Sequence, residues 1–157
     1  MNKKTTSNIA QKRSLNLIDI ESMVGSGNIC EDQVARIRSR YQQVVRPGQL
    51  DQFYVTSSHH NMAATCFGWP QSERKFKSGK DGADILLAQR MLESDIKDKF
   101  SHVYLATNDG GLADFVTNLM NSGVKVTLVG THGRMSYRLY NTGAQIVWLD
   151  SVYGLAA

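Results

Sequence analysis

The sequence predicts an α/β protein of three layers, α/β/α, with a largely parallel sheet. Three observations predict it. Short runs rich in β-branched and aromatic residues alternate along the chain with helical stretches, as in repeated βαβ units. The helical stretches carry apolar residues at helical spacing, so each has one face to bury. Glycine and proline punctuate the joins, where chain reversal needs them.

The elements follow in order. Leu15 to Ile20 reads as the first strand, and Gly25 and Gly27 form a loop after it. Glu31 to Val45 is a helix, with Val34, Ile37, Tyr41 and Val44 on one face, stopped by Pro47 and Gly48. Phe53 to Thr56 is the second strand. Residues 57–61 read as a turn and Met62 to Phe67 as a short helix ended by Gly68 and Pro70. Glu73 to Lys77 is a short strand or part of a loop. Ile85 to Ile96 is a helix whose stripe is Ile85, Ala88, Leu92 and Ile96. Val103 to Thr107 is a strong strand. Leu112, Phe115, Val116, Leu119 and Met120 give an amphipathic helix with Gly123 just past its end. Val124, Val126 and Leu128 alternate as a strand. His132 to Asn141 is a short helix or extended loop, and Ala144 to Leu149 is the final strand.

With 157 residues, 41% hydrophobic and 20% charged, the chain suits one globular domain. Residues 1–14 read as a polar, basic tail, unlike a secretory signal, and residues 15–157 as the domain. No apolar run is long enough to cross a bilayer. The two cysteines, Cys30 and Cys66, show neither a zinc-site nor a disulfide pattern, which suits a cytoplasmic location. The net charge of +4 favours an anionic partner without identifying one. No G-x-G-x-x-G or Walker motif is present, and Asp19-Ile20-Glu21 breaks the Asp-x-Asp of an aspartyl phosphatase.

Three aspartates stand where apolar segments meet turns. Asp19 ends the first strand, Asp84 opens the central helix, and Asp109 follows the strand Val103 to Thr107. A carboxylate at a buried strand end is costly unless something positive meets it. In an open parallel sheet, ligands bind outside the carboxyl ends of the strands. Three carboxylates converging there point to a hard divalent cation, Mg2+ or Mn2+, and to phosphoryl chemistry. Structural readings stand beside this one. Asp81 and Asp84 also fit an N-cap with its acidic N3 residue, and Asp109 also fits a cap of the next helix. Asp19 precedes no evident helix start, and Glu21 falls on the same side of an extended strand.

Three blocks resemble the NYN branch of the PIN-like nuclease superfamily: Leu15 to Ser22 (LNLIDIES), Gly82 to Gln89 (GADILLAQ) and Val103 to Gly130. They cover about a third of the chain, in the family's order. The resemblance implies a PIN-like fold and a metal-dependent ribonuclease, with RNA, single-stranded, as substrate. Asp19, Asp84 and Asp109 fall on the family's catalytic and metal-binding acids. Two positions depart from the pattern. Ser22 stands where an asparagine is common, and Gly111 where a second acid is common. Asp114 is the candidate to replace that acid at the metal, and Asn108 to supply a polar ligand or hold a metal-bound water. The missing acid leaves a second reading open, a catalytically inactive RNA-binding or protein-interaction module on the same fold. Asn108, Lys77, Lys80 and Arg134 are the residues expected to bind nucleic acid, with Arg74, Lys75 and Arg138 as further cations. Phe67 and Trp69 read as core or as base-stacking residues, and His59 and His60 as solvent-facing or acid–base groups. An exposed edge at the final strand would allow a homodimer.

Overall fold

The computed structural model describes residues 13–151. The expected tail lies outside the described residues except at its end, where Ser14 already opens the first strand. Six strands, β1 (Ser14–Asp19), β2 (Gln52–Ser57), β3 (Glu73–Phe76), β4 (His102–Ala106), β5 (Lys125–Gly130) and β6 (Gln145–Trp148), form one sheet. Every pairing is parallel, in the order β3-β2-β1-β4-β5-β6. The chain therefore builds outward from β1 to β3, returns to the middle, and builds the other way from β4. The order reverses between β1 and β4, which is where such sheets open a binding crevice.

Helices cover both faces. On one side lie α1 (Ile20–Val24), α2 (Glu31–Val45) and α3 (Met62–Gly68), packed through Ile20, Met23, Val34 and Ile37 onto Ile18, Val55, Ala106 and Val129. On the other lie α4 (Gly82–Met91), α5 (Ile96–Lys99), α6 (Ala113–Asn121) and α7 (Tyr137–Tyr140), packed through Leu87, Met91, Ile96, Val116 and Leu139 onto Leu15, Leu17, Leu105 and Leu128. Alternate residues of β1 thus serve opposite layers, as the two-residue period of a strand requires. This is the predicted three-layer α/β/α fold. Among the described residues no helix is long and apolar enough to cross a membrane.

Two predicted elements differ. The first strand stops at Asp19, because Ile20 begins the short helix α1 with Asp19 as its N-cap. The stretch predicted as one helix from Ile85 to Ile96 is two, α4 and α5, separated at residues 92–95. The predicted stripe is rotated as well: Ile85 and Leu92 are exposed, whereas Leu87 and Met91 are buried. The helix begins at Gly82, directly after Asp81, and the packing of Leu87 and Met91 onto the sheet sets its rotation. A Cβ at Gly82 would collide with the Lys77 carbonyl, so the helix approaches the preceding loop backbone to backbone.

The α2 side of the core contains a polar pair. The fully buried Tyr41 hydroxyl donates to Asn16 Oδ1 at 2.5 Å, and Asn16 Nδ2 donates to the Gln52 carbonyl at 3.1 Å. Tyr41 also meets Trp69 edge-on at 5.7 Å and Phe53 at 6.2 Å, so Trp69 is a core residue. Tyr41→Phe leaves Asn16 Oδ1 buried without its donor. The expected loss is about 1–3 kcal/mol, or roughly 2–10 °C in Tm. A thermal melt unchanged from wild type would mean that the pair contributes nothing.

Candidate active site

The switch in strand order brings the acids together. Asp19 ends β1 and Asp109 lies three residues past the end of β4, and both strands are central and adjacent. Asp84 comes from the first turn of α4. These three line one cleft of about 210 Å³ with Glu21, Ser22, Ser58 and Asp81. One carboxylate oxygen from each of Asp81, Asp84 and Asp109 lies within 4.8 Å of the others.

Each acid is placed by a local device. Asp19 accepts the Ser22 N–H at 3.1 Å and caps α1. Asp109 accepts the Gly111 N–H at 3.0 Å and caps the short 3-10 helix Gly110–Leu112. Asp81 sits before α4 with a left-handed backbone, φ 61°, a conformation an aspartate tolerates better than most residues. Its spacing of three from Asp84 puts both carboxylates on one side of the first helical turn. Asp81 makes no side-chain cap, so the reading of Asp81 and Asp84 as a capping pair gives way to a paired role in the cleft.

The electrostatics follow from this crowding. Burial raises the Asp19 carboxyl to about 6 against the Ser22 N–H, which favours its charge, and the charges of Glu21 and Asp109 push it further up. Asp84 is raised to about 7, first by burial, then by the charge of Asp109 and the hydrogen bond shared with it. The charges of Asp19 and Asp81 add to the rise. The donor set is entirely carboxylate oxygen, the hard ligand type that suits Mg2+ or Mn2+. A cation there would relieve the repulsion that both raised values report.

Gly111 now has a physical reason. A Cβ on it would lie 2.5 Å from Asp84 Oδ2 and 3.5 Å from Asp109 Oδ1. The space for an acid at this position is occupied by the Asp84 carboxylate. The fourth aspartate of the cleft is instead Asp81, whose place in the sequence also fits a cap. The signal was present as two aspartates three apart at a helix start, but a cap and a ligand share that spacing.

The other expected residues divide. Asp114 does not join the cluster; its side chain is 87% exposed and lies 3.8 Å from the Arg138 guanidinium. Asn108 turns inward. Its Oδ1 accepts the Thr131 N–H at 2.9 Å, its backbone N–H donates to Ser22 Oγ at 2.9 Å, and its carbonyl accepts from Ser136. It ties the ends of β1, β4 and β5 together and holds the loop that carries Asp109. Ser22 is the other half of that tie, and its carbonyl also accepts from Arg134 at 3.1 Å. Arg134 is exposed above this point, and Lys77 and Lys80 are exposed on the loop leading to α4. Arg138 lines a larger cavity of about 540 Å³ that opens from Asp84 and Asp109 between α4 and α6, floored by Ile85, Ala88 and Phe115. Glu21 is turned by α1 toward Ser58 and Asn61, accepting from Ser58 N at 2.5 Å and Asn61 Nδ2 at 2.9 Å. His59 pairs with Ser78 and His60 with the Gly27 carbonyl. Phe67 is 71% exposed on the α3 side of the sheet.

Comparison with known proteins adds the family. The sequence profile described as "NYN domain" matches residues 17–150. A crystal structure of a protein of unknown function from Vibrio parahaemolyticus is similar in fold, at 16% sequence identity and a TM-score of 0.56, over 90% of this chain and 95% of that one. No curated protein matches the chain in sequence.

Proposed function

Because the chain belongs to the NYN domain family of PIN-like nucleases, we propose that it is a metal-dependent ribonuclease that hydrolyses phosphodiester bonds of single-stranded RNA. The observation that carries this reading is the convergence of four aspartates from three separate chain segments on the cleft at the reversal of strand order. Asp81, Asp84 and Asp109 would hold the cation, with Asp19 facing the same cleft. Bound there, Mg2+ or Mn2+ supplies Lewis-acid stabilisation of a phosphate and a lowered pKa for water.

The chain's own residues do the rest. Asp19 and Asp84 bind protons more readily than ordinary carboxylates, so the cleft reaches its full negative charge only toward neutral pH. Asn108 and Ser22 position the loop of Asp109 against the end of β1. Lys77, Lys80 and Arg134 surround the acids with exposed positive charge that holds flanking phosphates, so binding weakens with salt. Arg138 extends this charge along the neighbouring cavity.

The Gly111 departure motivates the second reading, an inactive RNA-binding or interaction module. Asp81 weakens that case, since the cleft keeps four aspartates, with Glu21 beside them, without a side chain at 111. The test is cleavage of a labelled single-stranded RNA with Mn2+, with EDTA, and by Asp109→Asn. Cleavage by the wild type that EDTA and the substitution both remove is the expected result. Equal residual cleavage in all three arms, or RNA binding without turnover, would reject the nuclease reading.

A further inference from the structure

At the carboxyl ends of β5 and β6 four aromatic rings form a row. His132 stacks on Trp148 at 4.1 Å with 23° between planes, Trp148 meets Tyr140 at 6.0 Å, and Tyr140 meets Tyr137 at 6.4 Å. Trp148 ends β6 opposite Gly130, the last residue of β5, so the row stands at the same edge of the sheet as Asp19 and Asp109. Tyr137 is 81% exposed and Tyr140 52% exposed, an unusual cost in apolar surface for two neighbouring tyrosines with no core to fill.

The row is held in place and not left to swing. Asp150 Oδ1 lies 2.9 Å from His132 Nδ1 and fixes that ring over Trp148. Ser136, the N-cap of α7, donates its backbone N–H to the Asn108 carbonyl at 2.9 Å, which ties the helix of Tyr137 and Tyr140 to the residue before Asp109. Arg138 stands between the two tyrosines in sequence and lines the cavity that reaches Asp84 and Asp109. The two tyrosines and the arginine thus sit on the short helix that Ser136 anchors beside the loop of Asp109.

We propose that the row His132, Trp148, Tyr140 and Tyr137 is a stacking track for the bases of single-stranded RNA, with Arg138 guiding the backbone into the acid cleft. The inference rests on the ribonuclease reading for its substrate class. Two features select this occupant over a second copy of the chain at the β6 edge. The exposed cations Arg134 and Arg138 belong to the same segment as His132, Tyr137 and Tyr140 and complement phosphate, and the row stands at the carboxyl-end edge of the sheet that also carries Asp19 and Asp109. Aromatic faces bind unpaired bases with little regard to sequence, whereas a duplex hides those faces. The track should thus prefer single strands and tolerate many sequences. It also moves base stacking away from Phe67 and Trp69, the first of which lies on the α3 side and the second in the core.

The test measures binding without cleavage. A fluorescein-labelled single-stranded RNA of about ten nucleotides is titrated with the full chain in EDTA, beside the same sequence as a duplex. Tyr137→Ala combined with Tyr140→Ala is expected to weaken single-strand binding by about 10-fold or more, while Tyr137→Phe with Tyr140→Phe stays within about 3-fold of wild type. Trp148 fluorescence should be quenched by the single strand and much less by the duplex; Trp69, 2% exposed, is a silent background. Both tyrosines are exposed, so the alanine pair should fold, and a thermal melt checks it.

Wild-type affinity in the alanine pair overturns the proposal, as does equal quenching by duplex. So does a sedimentation result in which the wild type is a dimer that the alanine pair dissociates with RNA affinity unchanged, since the rings would then be a subunit contact. Ring-dependent binding in a protein that cleaves nothing with Mn2+ would remove the nuclease reading and leave the track standing. Cleavage that the ring variants share unchanged with the wild type would remove the track alone.

Discussion

Asp84→Asn is expected to lower Mn2+-dependent cleavage of single-stranded RNA by on the order of 10²–10³-fold. Asp84 is the centre of the cluster. It hydrogen-bonds Asp109, lies with Asp81 and Asp109 in the set whose oxygens come within 4.8 Å, and feels the charge of Asp19. The amide keeps the size and can keep the hydrogen bond to Asp109, but it removes the charge that a divalent cation requires. Asp114→Asn is the control. That side chain is 87% exposed and meets only a distant Arg138 guanidinium in the pairs described, so cleavage should stay within about 2-fold of wild type. Gly111→Asp makes the contrast sharper. It restores an acid where the family commonly has one, yet its Cβ would press against Asp84 Oδ2, so it should reduce activity and not raise it. Full cleavage by Asp84→Asn, or a gain from Gly111→Asp, would show that the acids do not act as the cluster described.

The second large effect is on stability. Asp19 and Asp84 titrate at about 6 and about 7 in the folded protein, above the ordinary carboxylate range of the unfolded chain near 4. The folded state then binds more protons than the unfolded state between those values. The stabilisation from holding these protons is complete below about pH 4 and is lost as pH rises through about 6 to 7. Metal-free protein should therefore melt higher at about pH 5 than at about pH 8, as far as these groups decide it. Asp84 is partly open to solvent, which screens its share, so the combined effect is about 1–3 kcal/mol, or roughly 3–10 °C in Tm. Asp84→Asn should raise the melting temperature near pH 8 and flatten the profile. Mn2+ should do the same for the wild type, by binding the folded state alone. Scanning fluorimetry with EDTA or Mn2+ at both pH values reads all of this. A pH profile identical in wild type and Asp84→Asn would mean that burial of these acids costs the fold nothing.

Much of this was legible along the chain. α2 was bounded to the residue, because a clear stripe and a Pro-Gly stop act locally. The parallel sheet followed from alternating elements, and the ends of two strands announced Asp19 and Asp109. What went unread was whatever depends on rotation or on a partner far away in sequence. The stripe of α4 was misplaced because Leu87 and Met91 compete with Ile85 and Leu92 for the same spacing, and only packing against β1 and β2 chooses between them. Asp81 was read as a cap because a cap and a ligand look alike until the neighbouring carboxylates are in place. Asn108 was read as a nucleic-acid contact, yet Ser22 and Thr131, distant in sequence, turn it inward. The aromatic row was invisible for the same reason: its rings come from a loop, a four-residue helix and an edge strand.

The amino-acid sequence by itself determined the class of fold, the family and the three acids at element ends, because hydrophobic period and turn chemistry are properties of neighbouring residues. Only the tertiary structure decided that Asp81 joins them, that Asp114 stands apart, that Gly111 is the space Asp84 needs, and that four rings form a row at the carboxyl ends of β5 and β6. Those are distances between segments, and the reversal of strand order between β1 and β4 is what makes them short.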